Sequence, residues 1–254
     1  TIPPPGKAFW HGGATSGDVR RNDIQTITFA TLGNATDYGD LNSTRFKLSG
    51  CSSSTRGLTI GGRESSDVDT IDFYDLTSSG NASDFGNLTA AVQAPAALAN
   101  STRGIRGGGE TGSKQNVMDF VTIASTGNAS DFGDLTEARM LLGAAASSTR
   151  GVFGGGLASG GVNTIDFIGN SARIDAITIA STGNATDFGN PSVNRNGATG
   201  AASTSRAVFG GSGTTIDFVE IAKPGNAVDF GDLTFSNQGS EGWGACSTSH
   251  GGVA

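Results

Sequence analysis

Gly127-Asn128-Ala129-Ser130-Asp131-Phe132-Gly133-Asp134-Leu135 recurs, with small changes, five times along the chain. The other copies begin at Gly33, Gly80, Gly183 and Gly225. Successive starts lie 47, 47, 56 and 42 residues apart, so one unit of about 47 residues is repeated with one insertion and one deletion. A period of that length marks a repeat architecture in which each unit is one supersecondary motif. Five copies spread over 254 residues read as one domain.

Each unit reads as four short strands. Leu141 to Ser147 is small and apolar (strand a), and Ser148-Thr149-Arg150 is a polar break. Gly151-Val152-Phe153-Gly154-Gly155-Gly156 follows (strand b), then a variable loop, then Asn163-Thr164-Ile165-Asp166-Phe167 (strand c). Strand d is the Asp-Phe-Gly-Asp-Leu run after the Gly-Asn turn. In Val117-Met118-Asp119-Phe120-Val121-Thr122 successive side chains point to opposite faces, and both faces are partly apolar, as in a sheet packed between two others. Gly-Asn is turn chemistry, since both residues tolerate positive φ. Frequent Gly argues against helix. Four antiparallel strands repeated at this period predict an all-β, five-bladed β-propeller.

The first unit starts at strand b, with Lys7-Ala8-Phe9-Trp10-His11, and has no strand a before it. Gly242-Trp243-Gly244-Ala245-Cys246-Ser247 has the character of strand a. The expectation is a ring in which this C-terminal strand completes the N-terminal blade and removes two open sheet edges. The blades are then residues 7–43 plus 242–249, 46–90, 93–137, 139–193 and 196–236, with 1–6 as a lead-in. The insertion near Gly169 to Asp175 falls within or doubles strand c of blade 4. Small residues such as Ala144-Ala145-Ala146, Ala96-Ala97 and Gly200-Ala201-Ala202 suit strand a to the tight centre of a five-bladed ring.

Composition narrows the function classes. With 15% charged and 35% hydrophobic residues in a regular repeat, the chain is no disordered segment. A net charge of −7 and no Lys/Arg cluster argue against a nucleic-acid partner. No apolar run nears the roughly 20 residues of a membrane-spanning helix. The opening Thr1-Ile2-Pro3-Pro4-Pro5-Gly6 reads as a processed end or a linker. Cys51 and Cys246 are too few for a disulfide framework or a thiolate metal site, and both are expected to be free thiols.

A run ending in double Gly, a Thr-Ile-Asp-Phe strand and an aromatic before a polar turn together resemble the kelch propeller repeat. The resemblance covers all five units, although Phe132, Phe188 and Phe230 stand where kelch blades carry other aromatics. The run Thr122 to Thr136 is similar to tandem repeats in structural proteins of marine tailed phages, particularly those of cyanobacteria. That resemblance implies a virion component such as a tail fibre, spike or capsid-surface protein. Its partners would be other virion proteins or a host-surface glycan, and its location the phage particle.

Candidate site residues each carry a structural reading beside a functional one. Asp72, Asp119, Asp166 and Asp217 are read at one strand-c position, with Thr28 in the first unit. Glycosidases use two carboxylates at a set separation. An acid in nearly every blade is better explained by packing that each unit repeats. Arg56, Arg103, Arg150 and Arg206 recur in the a–b turn, and a repeated Arg–Asp ion pair is the expectation, with a ring of Arg for anionic glycan as the alternative. Asn34, Asn81, Asn128 and Asn184 sit in glycosylation sequons, but Val228 breaks the sequon at Asn226 while the turn persists, which favours turn geometry. Asn128, Asp131 and Asp134 lack the spacing of a calcium loop, and His11 and His250 make a weak metal pair, so no metal or cofactor is expected. Trp10 and Trp243 are read as closing the blade-1 seam, with sugar stacking as the alternative. The reading is a non-enzymatic structural or adhesion module. Its alternatives are a multivalent carbohydrate-binding propeller and a glycoside hydrolase using non-repeated acids such as Glu64, Glu110 and Glu220.

Overall fold

The computed structural model describes residues 6–15, 19–31, 33–158, 174–193, 198–210 and 213–237, with side chains to 234. The chain is an all-β, five-bladed β-propeller. Blade 1 is β1 (Lys7–His11), β2 (Asp23–Thr28) and β3 (Thr36–Asp40). Blade 2 is β4 (Ser49–Ser52), β5 (Arg56–Ile60), β6 (Thr70–Asp75) and β7 (Ser83–Asn87). Blade 3 is β8 (Ala96–Ala99), β9 (Arg103–Gly107), β10 (Val117–Thr122) and β11 (Ser130–Asp134). Blade 4 is β13 (Gly143–Ala146), β14 (Arg150–Gly154), β16 (Ile174–Thr178) and β17 (Thr186–Gly189), with a small side ladder between β12 (Arg139–Met140) and β15 (Leu157–Ala158). Blade 5 is β18 (Thr199–Ala202), β19 (Arg206–Gly210), β20 (Gly213–Glu220) and β21 (Val228–Asn237). Strands pair antiparallel in the order a-b-c-d in blades 2 to 5 and b-c-d in blade 1. The strand expected to complete blade 1, with Trp243 and Cys246, lies outside the described residues.

Local chemistry sets the hairpins. The a–b turns are held by a side-chain oxygen at their first residue: Ser53 Oγ accepts from the Arg56 amide, Asn100 Oδ1 from Arg103, Ser147 Oγ from Arg150 and Ser203 Oγ from Arg206. Such Ser and Asn oxygens mimic a backbone turn. Strand b ends in a glycine pair whose residues both need positive φ, as at Gly61 (59°) and Gly62 (107°). The second glycine then donates to the linker that leads into the next blade: Gly13 to Arg45 O, Gly62 to Val92 O and Gly109 to Arg139 O.

Inner strands a pack side by side around the axis, β4 on β8, β8 on β13 and β13 on β18. Here glycine is a matter of space: a Cβ on Gly200 would come 2.6 Å from the Ala144 carbonyl oxygen. The hydrophobic core is four clusters, one for each of the four successive blade interfaces. In each, the aromatic of strand d packs under the end of the next blade's strand c. Phe85 meets Val121 and Ile123, Phe132 meets Ile177 and Ile179, and Phe188 meets Val219 and Ile221.

Strand c of blade 4 corrects the sequence reading. It is Ile174–Thr178, and Asp175 stands opposite Asp187 as Asp72 stands opposite Asp84 and Asp119 opposite Asp131. Asp166 lies outside the described residues. In blade 1 the equivalent is Gln25, opposite Asp37, not Thr28. The spacing to the turn glycine carries this register: 72 to 80, 119 to 127, 175 to 183, 217 to 225 and 25 to 33 are all eight residues.

Candidate functional site

The repeated acids lie in the interior of the blades. Asp72, Asp119, Asp175 and Asp217 are essentially inaccessible to solvent. Each accepts a hydrogen bond from the start of the preceding linker: Asp72 from Asn42 Nδ2 (2.8 Å), Asp119 from Thr89 Oγ1 (2.6 Å), Asp175 from Thr136 Oγ1 (2.5 Å) and Asp217 from Ser192 Oγ. Among the described residues, three of these acids are seen facing a buried guanidinium. Arg45 Nη2 reaches Asp72 Oδ2 at 2.5 Å, Arg139 Nη2 reaches Asp175 Oδ2 at 2.8 Å, and Arg106 Nη2 bonds Asp119 Oδ2. The ion pair is therefore real, but its arginine is not the one in the a–b turn.

The guanidinium reaches the acid by two routes. Arg45 and Arg139 occupy one linker position, whose carbonyl accepts from the second strand-b glycine of the preceding blade. In blade 3 that position is Val92, and the charge comes from strand b, where Arg106 stands directly across from Asp119. The residues across from the other acids are Thr59, Phe153 and Phe209. Burial pulls both partners of the Arg45–Asp72 pair toward neutrality, lowering the Arg45 pKa and raising that of Asp72, while each partner's charge opposes the shift. Arg106 is lowered in the same way, by burial against the opposing pull of Asp119. The Nε atoms of Arg45 and Arg106 are buried without a hydrogen-bond partner. A pair of this kind adds little net stability, because desolvation offsets much of the attraction, but removing one partner leaves the other's charge buried alone.

The a–b turn arginines bond between blades instead. Arg56 Nη1 donates to the carbonyls of Ile123 and Ala124, Arg103 to Ile179 and Arg150 to Ile221, each in the following blade. Arg56, Arg103 and Arg206 also lie 4.6–5.0 Å from the centroids of Phe73, Phe120 and Phe218 in their own strands c. The expectation that these arginines pair with the strand-c aspartates is corrected at Arg56, Arg103 and Arg150, which reach carbonyls of the following blade instead.

The Gly-Asn-Ala turn is the second interblade device. Its Gly and Ala amides donate to the preceding strand d, and its Asn Oδ1 accepts from that strand. At the blade 2–3 interface these bonds are Gly127 N to Phe85 O (2.7 Å), Ala129 N to Asn87 O (2.8 Å) and Asn87 N to Asn128 Oδ1 (3.0 Å). Asn81, Asn184 and Asn226 repeat the arrangement. Docking between blades thus accounts for these asparagines, whether or not a sequon follows.

Other candidates disperse. Glu64 accepts from Ser43 and Glu110 from Gln93, in different blades. No group of three metal-ligating side chains occurs among the described residues. No described helix is long and apolar enough to cross a membrane. Cys51 is a free thiol pushed up to about 12 by burial. His11 is lowered to about 4, first by burial and then by the charge of Arg45. A shallow cleft of about 170 Å³ between blades 4 and 5 is lined by Arg150, Ser181, Asn184 and Pro224 among others. It is smaller than the roughly 300–1,000 Å³ of ordinary small-molecule sites. Trp10 lies on β1 and is about half exposed.

No protein-family model matches the chain, and no curated protein matches it either. The chain is assigned by its architecture, a five-bladed β-propeller.

Proposed function

We propose that this propeller is a non-enzymatic structural or adhesion module of a tailed-phage particle, presenting its blade loops to another virion protein or to the host surface. One observation carries the non-enzymatic part. The repeated charged residues, which would be the natural catalytic or ligand-binding set, are bonded into the blades and between them. What differs between blades is the loop joining strands b and c, for example residues 63–69 and 110–116. The first of these carries the Arg63–Asp67 pair, and both end in short backbone-closed turns. A repeated frame with variable loops suits recognition of a surface. The phage assignment is supported by the repeat resemblance.

The test is binding of the purified protein to a glycan array and to surface polysaccharide from candidate host cells, alongside capture on purified phage particles. Saturable binding that is lost when residues 63–69 or 110–116 are replaced by Gly-Ser supports the module. Hydrolysis of any bound glycan, detected as new reducing ends, would overturn it.

A further inference from the structure

Blade 4 departs from its sister blades beneath its a–b turn arginine. In blades 2, 3 and 5 the residue after the buried strand-c acid is Phe73, Phe120 or Phe218, and its ring has two partners. The a–b turn arginine of the same blade, Arg56, Arg103 or Arg206, lies 4.6–5.0 Å from the ring centroid. The strand-d ring, Phe85, Phe132 or Phe230, meets it edge to face at 5.9 Å. In blade 4 the acid is Asp175 and the next residue is Ala176. Arg150 keeps the arginine's place, held by its 2.9 Å bond to the Ile221 carbonyl, and Phe188 keeps that of the strand-d ring. The guanidinium is retained while the ring it covers elsewhere has become a methyl group.

The cleft between blades 4 and 5 lies where that ring is missing. Arg150, Ala176 and Thr186 line it. Thr186 stands across the ladder from Ala176, as Ser83 stands across from Phe73 and Ser130 from Phe120. The volume of about 170 Å³ is that of one ring, since cavities of about 150 Å³ take up benzene. This accounts for a cleft too small for an ordinary small-molecule ligand.

A second departure falls on the opposite wall. The residue before the docking-turn glycine is Ser79, Thr126 and Thr182 in blades 2 to 4, but Pro224 in blade 5, and Pro224 lines the cleft. The blade 4–5 interface therefore combines a vacated ring position with an apolar wall that the preceding interfaces lack. The cleft lies at the end of the blade where Arg150 pairs with Thr178. Residues 159–173, outside the described residues, join the blade at its other end, where Gly154 pairs with Ile174.

We propose that this cleft is a receptor for one aromatic side chain of a partner protein. The phenyl or phenol ring stacks on the Arg150 guanidinium above Ala176, with Pro224 at its side. A π face is attracted to a guanidinium, and more strongly once water is excluded. A saturated sugar ring offers no such face. That the ring belongs to a protein rests on the reading of the propeller as a docking module. Ser181, Asn184 and Thr186 are exposed at the rim and supply polar groups for the peptide that carries the ring.

The intact chain, labelled with ¹⁵N and with ¹³C at its alanine methyl groups, is titrated with N-acetyl-tyrosinamide from about 0.1 to 20 mM. Saturable upfield ring-current shifts at the Ala176 methyl and the Arg150 Nε–H are expected. Ala176→Phe rebuilds the ring of the sister blades inside the cleft, so it should weaken binding at least tenfold while leaving the circular dichroism unchanged. Pro224→Thr, a milder change, should weaken it at least threefold. No saturable shift, or unchanged binding by the Ala176→Phe protein, overturns the proposal. N-acetyl-cyclohexylalaninamide binding as tightly as the tyrosine amide overturns the stacking on Arg150. Free p-cresol binding as tightly as the amide overturns the protein source of the ring. Phe167→Ala should leave the affinity unchanged, and a gain would mean that a ring of the chain itself occupies the cleft, which also overturns the proposal. These titrations use neither particle nor glycan, so they hold or fail separately from the capture assays that test the module reading.

Discussion

Replacing Arg106 by Thr tests the reading that the buried acids of blades 2, 3 and 4 each need a buried guanidinium. Asp119 is 1% exposed and would keep the Thr89 hydroxyl but lose the Arg106 guanidinium. Removing one partner of a buried pair typically costs about 3–5 kcal/mol. For a chain of this size that is a drop of roughly 6–20 °C in Tm, at about 2–4 °C per kcal/mol. The informative step is the rescue. Val92→Arg places an arginine at the linker position from which Arg45 and Arg139 reach their acids, and Thr at 106 recreates the Thr59 environment of blade 2. Val92→Arg alone should also destabilise, because it adds a second cation beside Arg106 and removes a core valine. The double variant should recover at least half of the loss. Urea unfolding of all four proteins gives the coupling energy directly. A single-variant cost under about 1 kcal/mol, or a coupling energy near zero, would refute the argument that the two routes are equivalent.

Three further outcomes follow from the same geometry. The His11 pKa is about 4 in the fold against 6.5 unfolded, so the unfolded chain takes up a proton first as pH falls. Stability should decline from pH 6.5 toward 4 by up to about 3 kcal/mol, and His11→Asn should flatten that decline. The raised Asp72 carboxyl has the opposite sign, gaining stability on protonation below its own range, so an unchanged slope in the His11 variant would sink the assignment. Gly86→Ala should cost more than 2 kcal/mol. Its φ of 142° strains any other residue by roughly 1–3 kcal/mol, and the new Cβ would meet the Gly127 carbonyl oxygen at 2.4 Å. Equal urea midpoints for the two proteins would contradict it. With Cys246 replaced by Ser, the Cys51 thiol should resist a disulfide reagent at pH 7.5 until the fold is opened by denaturant, since burial holds its pKa near 12. Complete labelling of the folded protein within minutes would show that the thiol is accessible.

The sequence made the blades legible because most of their chemistry is local. Strand alternation, the glycine pair after strand b and the Gly-Asn turn act within a few residues, and each repeats five times or nearly so. The small inner strands were legible for the same reason, since Ala and Gly mark a place with no room. The partners of the repeated charges were not. Which arginine meets Asp72 depends on how the linker carrying Arg45 folds against strand c, while Arg56 turns to carbonyls of the following blade, and neither placement is set by residues close in sequence. In blade 4 the Thr164-Ile165-Asp166-Phe167 run imitated strand c, but the constant eight-residue distance to the turn glycine would have singled out Asp175.

Strand b pairs a glycine at its fifth residue with a ring at the fourth residue of the following blade, Gly107 with Phe153 and Gly154 with Phe209, each 2.9 Å from where a Cβ would be, and this constrains how genes for such a chain can grow. Units 4 and 5 each combine an aromatic fourth residue with a glycine fifth, Phe153 with Gly154 and Phe209 with Gly210. Either could be copied in tandem and would fit against its own duplicate. Units 2 and 3 could not: Ile60 before another Thr59 and Gly107 before another Arg106 are pairings found nowhere in the chain. An unequal crossover joining unit 2 to unit 4 would set Ile60 against Phe153. Lengthening by duplication is therefore open at the C-terminal half of the ring and closed at the N-terminal half, a polarity that a survey of related arrays with different blade numbers would record.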